Sequence, residues 1–194
     1  MKVILGGSSM AQCVAALLGV LQTNFGVAEC DITMIQANTA AHTNTVDDRV
    51  EAAGRDWRLG RGAAQNIIPT TNSETLTEEV FKVVWMFAVD EIVFTHIAQV
   101  TGWRGAITTS SYLVPPTCPV SVVDLTVRLE REVEYSEVCQ RLRKLAQAGP
   151  LRRVVGYSEA PLVSSDLVTD CHSAVLDTQA GRQTGPDTLK LVAW

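Results

Sequence analysis

Between Val122 and Glu130 the chain reads VVDLTVRLE, and this run restricts the available folds more than any other. Val123, Leu125, Val127 and Leu129 fall on one side of an extended chain; Asp124, Thr126, Arg128 and Glu130 fall on the other. Side chains of a strand alternate faces, so the run predicts a sheet with one buried and one wet face. A helix signal follows at once. Ser136 is placed to cap it, Val138, Leu142 and Leu145 recur at i, i+4 and i+7, and Gly149 and Pro150 stop it. With 194 residues the chain can bury such a core as one domain, residues 1–194.

Other segments extend the pattern. VILGGSSMAQCVAALLGVL, residues 3–21, reads as a strand, a tight turn and an apolar helix over 11–23 that Ser8 or Ser9 can cap. CDITMIQA reads as a buried strand, residues 43–62 as a long polar loop, and TLTEEVFKVVWMF as a helix opened by a Thr75–Glu78 capping box. AITTSSYLVPP is a strand that its prolines end, and RVVGYS, PLVSSD, SAVLD and TLKLVAW read as short closing strands. Strands outnumber helices and several follow one another directly, which predicts an α+β class with a mixed, mainly antiparallel sheet. No GxGxxG motif or alternating βαβ series occurs, so no dinucleotide-binding domain is expected.

Bulk properties remove further classes. The longest apolar candidate, Val14 to Leu21, falls short of the roughly 20 residues of a spanning helix. No basic stretch and cleavage site precede it, so a secretory signal is not expected. The net charge is −5 and the basic residues are dispersed. The run RLRKLAQAGPLRR is read as a solvated helix face, and nucleic acid is not an expected partner. Cys13, Cys30, Cys118, Cys139 and Cys171 lack CxxC spacing. They are expected to be free, mostly buried thiols of a reducing intracellular compartment, cytoplasmic or organellar.

The segments WRLGRGAAQNIIPT, VSVVDLTVRLE, AGPLRRVVGYSEAPLVSSD and LKLVAW are similar to the catalytic domain of glyceraldehyde-3-phosphate dehydrogenase, in order and spacing, from about residue 2 to residue 194. The resemblance implies a twisted mixed sheet with helices packed on one face. It also implies an absence, since the family's cofactor domain precedes this region and its last helix follows it. The family's Ser-Cys-Thr-Thr-Asn-Cys corner corresponds here to Ser8, Ser9, Met10, Ala11, Gln12 and Cys13, which puts Ser9 at the nucleophile. The base histidine corresponds to Gln36 of QANT. A serine hydroxyl stays protonated without a base, and a glutamine neither takes a proton nor stabilises a thiolate by charge. The phosphate-binding positions correspond to Ser8, Met10, Thr39, Asn72, Ser73 and Val114 (or Leu113, depending on the gap). An aliphatic residue cannot replace the bidentate arginine expected at the last of these. Arg61 matches a family arginine read as structural.

These substitutions predict no catalysis and no cofactor. Ser9 as a hydrolase nucleophile with His42 as base lacks the G-x-S-x-G context and an acid partner, so a helix cap is preferred. GGSS is read as a plain turn rather than a phosphate cradle. His42, His96 and His172 have no ligand spacing, so no metal is expected, and His172 is read as structural. Around residues 85–105 the chain carries more residues than the family usually has. Trp85, Phe87, Phe94 and Trp103 make this segment apolar, so it either covers the domain's own core or meets a protein partner. The expected role is a catalytically inactive structural or interaction subunit of a larger assembly. The alternative is a fragment or subunit of an NAD-dependent oxidoreductase of this type.

Overall fold

The computed structural model describes residues 8–37, 65–70, 107–117, 119–148 and 151–194. The elements in chain order are α1 (Ser9–Phe25), β1 (Val27–Ile35), β2 (Ile68–Thr70), β3 (Ile107–Val114), β4 (Val122–Leu129), α2 (Tyr135–Gln147), β5 (Val155–Ser158), β6 (Ala174–Gln183) and β7 (Thr188–Ala193). The strands form one sheet in the order β2-β3-β1-β4-β7-β6-β5. β1 and β3 run parallel, as do β5 and β6; the other four pairings are antiparallel. The sheet is mixed and mainly antiparallel, as the strand-rich sequence predicts.

The period-two run behaves as expected. Val123, Leu125, Val127 and Leu129 of β4 are buried, and they join one apolar cluster with Leu17 and Leu21 of α1 and Val138 and Leu142 of α2. Both helices therefore lie on that face of the sheet. On the other face Asp124 and Lys190 pair across β4 and β7 at 2.6 Å, and Glu29 pairs with Arg128 at 2.8 Å. The two helices differ as their patterns require. α1 is apolar nearly all round and buried along its length, whereas α2 buries Val138, Cys139 and Leu142 and exposes its charges.

Several boundaries differ from the sequence expectation for physical reasons. α1 runs from Ser9 to Phe25, longer at both ends, and Gly26 closes it with φ +72°. β1 starts three residues earlier and ends at Ile35. α2 begins at Tyr135 after Glu134, so Ser136 is not its cap. A tertiary bond decides this start, because the Gln183 Oε1 accepts the Tyr135 N–H at 2.9 Å. PLVSSD is not a strand but leads into a 3-10 turn, Ser164–Leu167. There the Asp166 carboxylate accepts the Val163 N–H at 2.9 Å, a local bond that competes with a sheet ladder. SAVLD extends to Gln183 through an irregularity between Asp177 and Arg182. In that stretch a Cβ on Gly181 would collide with the Tyr135 side chain and the Lys190 carbonyl, which is why glycine stands there. The predicted loop 43–62 and the Thr75 helix lie outside the described residues.

Candidate functional site

Strand register gathers several chain ends along one edge of the sheet. Ile35 ends β1 opposite Leu113 of β3 and Val122 at the start of β4. Val123 pairs with Ala193 near the end of β7, and Val175 exchanges two backbone hydrogen bonds with Trp194, at 2.9 and 3.0 Å. The first turn of α1 lies over this edge, tied to the loop just before β6 by the Ser173 hydroxyl donating to Gln12 Oε1 at 3.3 Å. Between them opens a cleft of about 260 Å³, lined by Ser9, Met10 and Cys13 of α1, by Val123, Val175 and Trp194, and by residues of the loop Leu167–Ser173 other than Cys171. Trp194 is fixed by its indole N–H, which donates to the buried Asp177 carboxylate at 3.2 Å. The other oxygen of Asp177 accepts the N–H groups of Gln179 and Ala180, so the buried charge is satisfied.

The two serines of the opening motif divide their duties. Ser8 is the N-cap, its Oγ accepting the Ala11 N–H at 3.2 Å. Ser9 is the first helical residue, exposed, and faces the cleft instead of capping. Met10 is buried at 3% exposure. Cys13 also lines the cleft, but burial pushes its thiol up to about 12, which keeps it protonated at neutral pH. The same desolvation pushes Cys30 up to about 12 and raises Cys139. Of the four described thiols all are free and only Cys171 is exposed, in line with the expectation.

Gln36 directly follows β1 at the same sheet edge, its N–H donating to the Leu113 carbonyl at 2.9 Å. Val114 sits at the end of β3 opposite Ile68. The fold thus carries Ser8, Ser9, Met10, Gln36 and Val114 to one end of the sheet, although Gln36 does not line the cleft. Thr39, His42, Arg61, Asn72, Ser73, Trp85, Phe87, Phe94, His96, Trp103 and Cys118 lie outside the described residues.

The loop Leu167–Ser173 holds what the sequence analysis missed. The Asp170 carboxylate accepts the His172 backbone N–H at 2.8 Å and meets the His172 Nδ1 at 2.7 Å. These bonds, the backbone one foremost, hold the Asp170 carboxyl below its usual range. An ionised carboxylate can only accept, so Nδ1 carries the imidazole proton and Nε2 is left as the acceptor. Thr169 stands just before the pair with φ +77°, in the left-handed region that a β-branched residue rarely enters. Donor atoms of Asp170, Cys171 and His172 lie within 4.8 Å of one another. The Asp170–His172 hydrogen bond closes two of the three on each other, which makes the group an oriented imidazole rather than an open cage. The D-x-H spacing in VTDCHSA was the available signal, because an aspartate can bond a backbone N–H two residues on.

A mixed sheet whose strand ends gather under the first turn of a buried helix defines an α+β domain with a site at that edge. Among the described residues it contains no dinucleotide-binding unit. The chain belongs to the glyceraldehyde 3-phosphate dehydrogenase C-terminal domain family, whose family model matches residues 8–194. It is 36% identical over 194 residues to glyceraldehyde-3-phosphate dehydrogenase 2 of Drosophila melanogaster, covering 100% of this chain and 51% of that protein. It is 36% identical over 193 residues to glyceraldehyde-3-phosphate dehydrogenase 2 of Schizosaccharomyces pombe, covering 100% of this chain and 50% of that protein. Glyceraldehyde-3-phosphate dehydrogenase of Glossina morsitans morsitans is 37% identical over 194 residues, with 100% and 51% covered. The chain spans about half the length of the curated relatives it matches.

Proposed function

We propose that this chain does not catalyse the dehydrogenase reaction of its relatives and serves as a structural or interaction subunit of a larger protein assembly. The observation that carries the proposal is the chemistry at the first turn of α1. Ser9, an exposed hydroxyl, stands where the resemblance calls for the nucleophilic thiol, and Gln36 stands where it calls for the base. Thioester chemistry needs a thiolate, and the nearest thiol on α1 is Cys13, which burial keeps protonated. Met10 and Val114 replace groups that would hold substrate phosphates, and neither can donate a charge-assisted bond. No cofactor is assigned. The apolar segment 85–105, with Trp85, Phe87, Phe94 and Trp103, is the proposed protein-facing surface of a single domain.

A second reading rests on the same homology: the chain is a subunit or fragment of an NAD-dependent oxidoreductase whose cofactor domain lies elsewhere. Native purification of the natural product, followed by size measurement and mass spectrometry, separates the two. The first predicts a discrete assembly of different proteins with no dehydrogenase activity. A particle containing a dinucleotide-binding chain and reducing NAD would replace it with the second.

A further inference from the structure

We propose that a second cleft, between the end of α1 and α2, binds the phosphate group of a small phosphate monoester. The inference goes beyond the loss of dehydrogenase chemistry and does not depend on it. α1 is 17 residues long, so at about 1.5 Å per residue its last turn lies about 25 Å from its first. The second cleft has a volume of about 290 Å³ and is lined by Asn24 and Phe25 of α1, by Arg131 of the loop after β4, and by Glu137, Arg141 and Lys144 of α2. The sequence pattern reads the basic run of α2 as a solvated face. The fold adds Asn24, Phe25 and Arg131 to that face, and so makes a concave site of it.

The cations are held in place by contacts between distant parts of the chain. Glu137, Gln140, Arg141 and Lys144 recur at i, i+3, i+4 and i+7, so they share one face of α2. The Arg141 Nε donates to Asn24 Oδ1 at 2.5 Å, and the Asn24 Nδ2 donates to the Val20 carbonyl at 2.7 Å. Asn24 is thus fixed by its own helix and orients Arg141 from across the cleft. Both Nη groups of Arg141 are left for a ligand, in the planar fork that matches two phosphate oxygens. The Arg131 guanidinium lies 5.2 Å from the Phe25 ring centroid and donates to Glu137 Oε1 at 3.2 Å. Lys144 has no ion-pair partner among the described residues.

Charge and size name the ligand class. Three cations against the single Glu137 carboxylate leave two positive charges in the cleft, in a chain whose net charge is −5. A phosphate monoester carries about −1.5 to −2 at neutral pH and offers three acceptor oxygens, which matches both the charge and the donors. A lone carboxylate would neutralise only half of it. The Gln140 amide adds an uncharged donor to the wall. Phe25 is the one apolar residue of the lining, and Arg131 already covers its ring. The cleft therefore grips a head group and offers little to a hydrocarbon body. Its volume also falls at the lower edge of the roughly 300–1,000 Å³ of sites for drug-sized ligands, so the body is short.

The test titrates glycerol 2-phosphate into the intact chain at constant ionic strength, with glycerol and acetate as controls, and follows backbone amide and arginine Nε–H signals by NMR. The shifts should saturate and centre on Arg131, Arg141 and Lys144, with a Kd on the order of 1 mM, the scale of two or three charge-assisted hydrogen bonds net of water. Arg141→Gln and Lys144→Gln should each weaken binding about tenfold or more. Glu137→Gln removes the one opposing charge and should tighten it about twofold or more. Arg143→Gln removes the same charge from α2 outside the cleft, where Arg143 pairs with Glu159, and should leave the Kd within about twofold. All four side chains are exposed, so the variants should fold as the parent does. The absence of a saturable shift, shifts confined to the first turn of α1, or an equal response to acetate would each overturn the proposal. So would an Arg141→Gln Kd within about twofold of the parent, or equal weakening in Arg143→Gln. NAD reduction is a separate readout, so the two proposals can fail independently.

Discussion

Replacing Ser8 and Ser9 one at a time should give opposite results from almost the same chemistry. Ser8 Oγ accepts the Ala11 N–H at 3.2 Å, and a second tie at this turn is the Gln12 N–H bond to the Ser8 carbonyl, which an alanine keeps. Ser8→Ala therefore removes one bond and leaves one donor at the helix start unpaired. Cap losses of this kind cost about 1 kcal/mol, with an upper range of about 2. In a domain of this size 1 kcal/mol shifts Tm by about 2–4 °C. Ser9 is exposed and outside the cap, so Ser9→Ala should stay within about 0.5 kcal/mol of the parent. Urea unfolding followed by circular dichroism measures both. Equal losses in the two variants, or a larger loss in Ser9→Ala, would show that the division of labour between the serines is wrong.

The Asp170 carboxyl has a folded pKa below its ordinary value, so its contribution is complete above the unfolded range near pH 4 and fades as pH falls through the folded value. The stability gap between parent and Asp170→Asn should accordingly shrink on acidification, and a gap that grows below about pH 4 would reverse the assignment. Among the described thiols, Cys171 should alkylate quickly at neutral pH while Cys13, Cys30 and Cys139 stay protected until unfolding, as read by peptide mapping. If segment 85–105 anchors a partner, Trp85→Ala or Trp103→Ala should weaken association by at least about 2 kcal/mol, roughly thirtyfold, with an unchanged melt. A collapsed melt with binding retained would make the segment an internal cover, whose loss costs about 3–5 kcal/mol.

The sheet and its helices were legible because their signals are local and repeated. The alternation in β4 and the spacing on α2 each follow from one face being buried, and both survive in the fold. What escaped was set by contacts between distant residues. Tyr135 joins α2 because Gln183 holds its N–H, a pairing across 48 residues that no window on α2 contains. PLVSSD carries strand-like apolar residues, yet Asp166 spends its carboxylate on the adjacent backbone. At the site, the family corner was readable in SSMAQC, but either serine could have been the cap and only geometry assigns it to Ser8. The Asp170–His172 pair escaped because it closes within a turn to which the sequence analysis assigned no element.

The dehydrogenase reaction of the relatives is proposed to be lost in this chain. Its most direct test is NADH production by the natural full-length product, supplied with glyceraldehyde-3-phosphate, inorganic phosphate and NAD, alongside the double variant Ser9→Cys with Gln36→His. The account predicts no NADH above buffer for either protein, with the introduced thiol at most alkylating faster than an ordinary cysteine. NADH formed by the parent would contradict the loss of catalysis, and NADH formed by the double variant alone would show that a cofactor site persists.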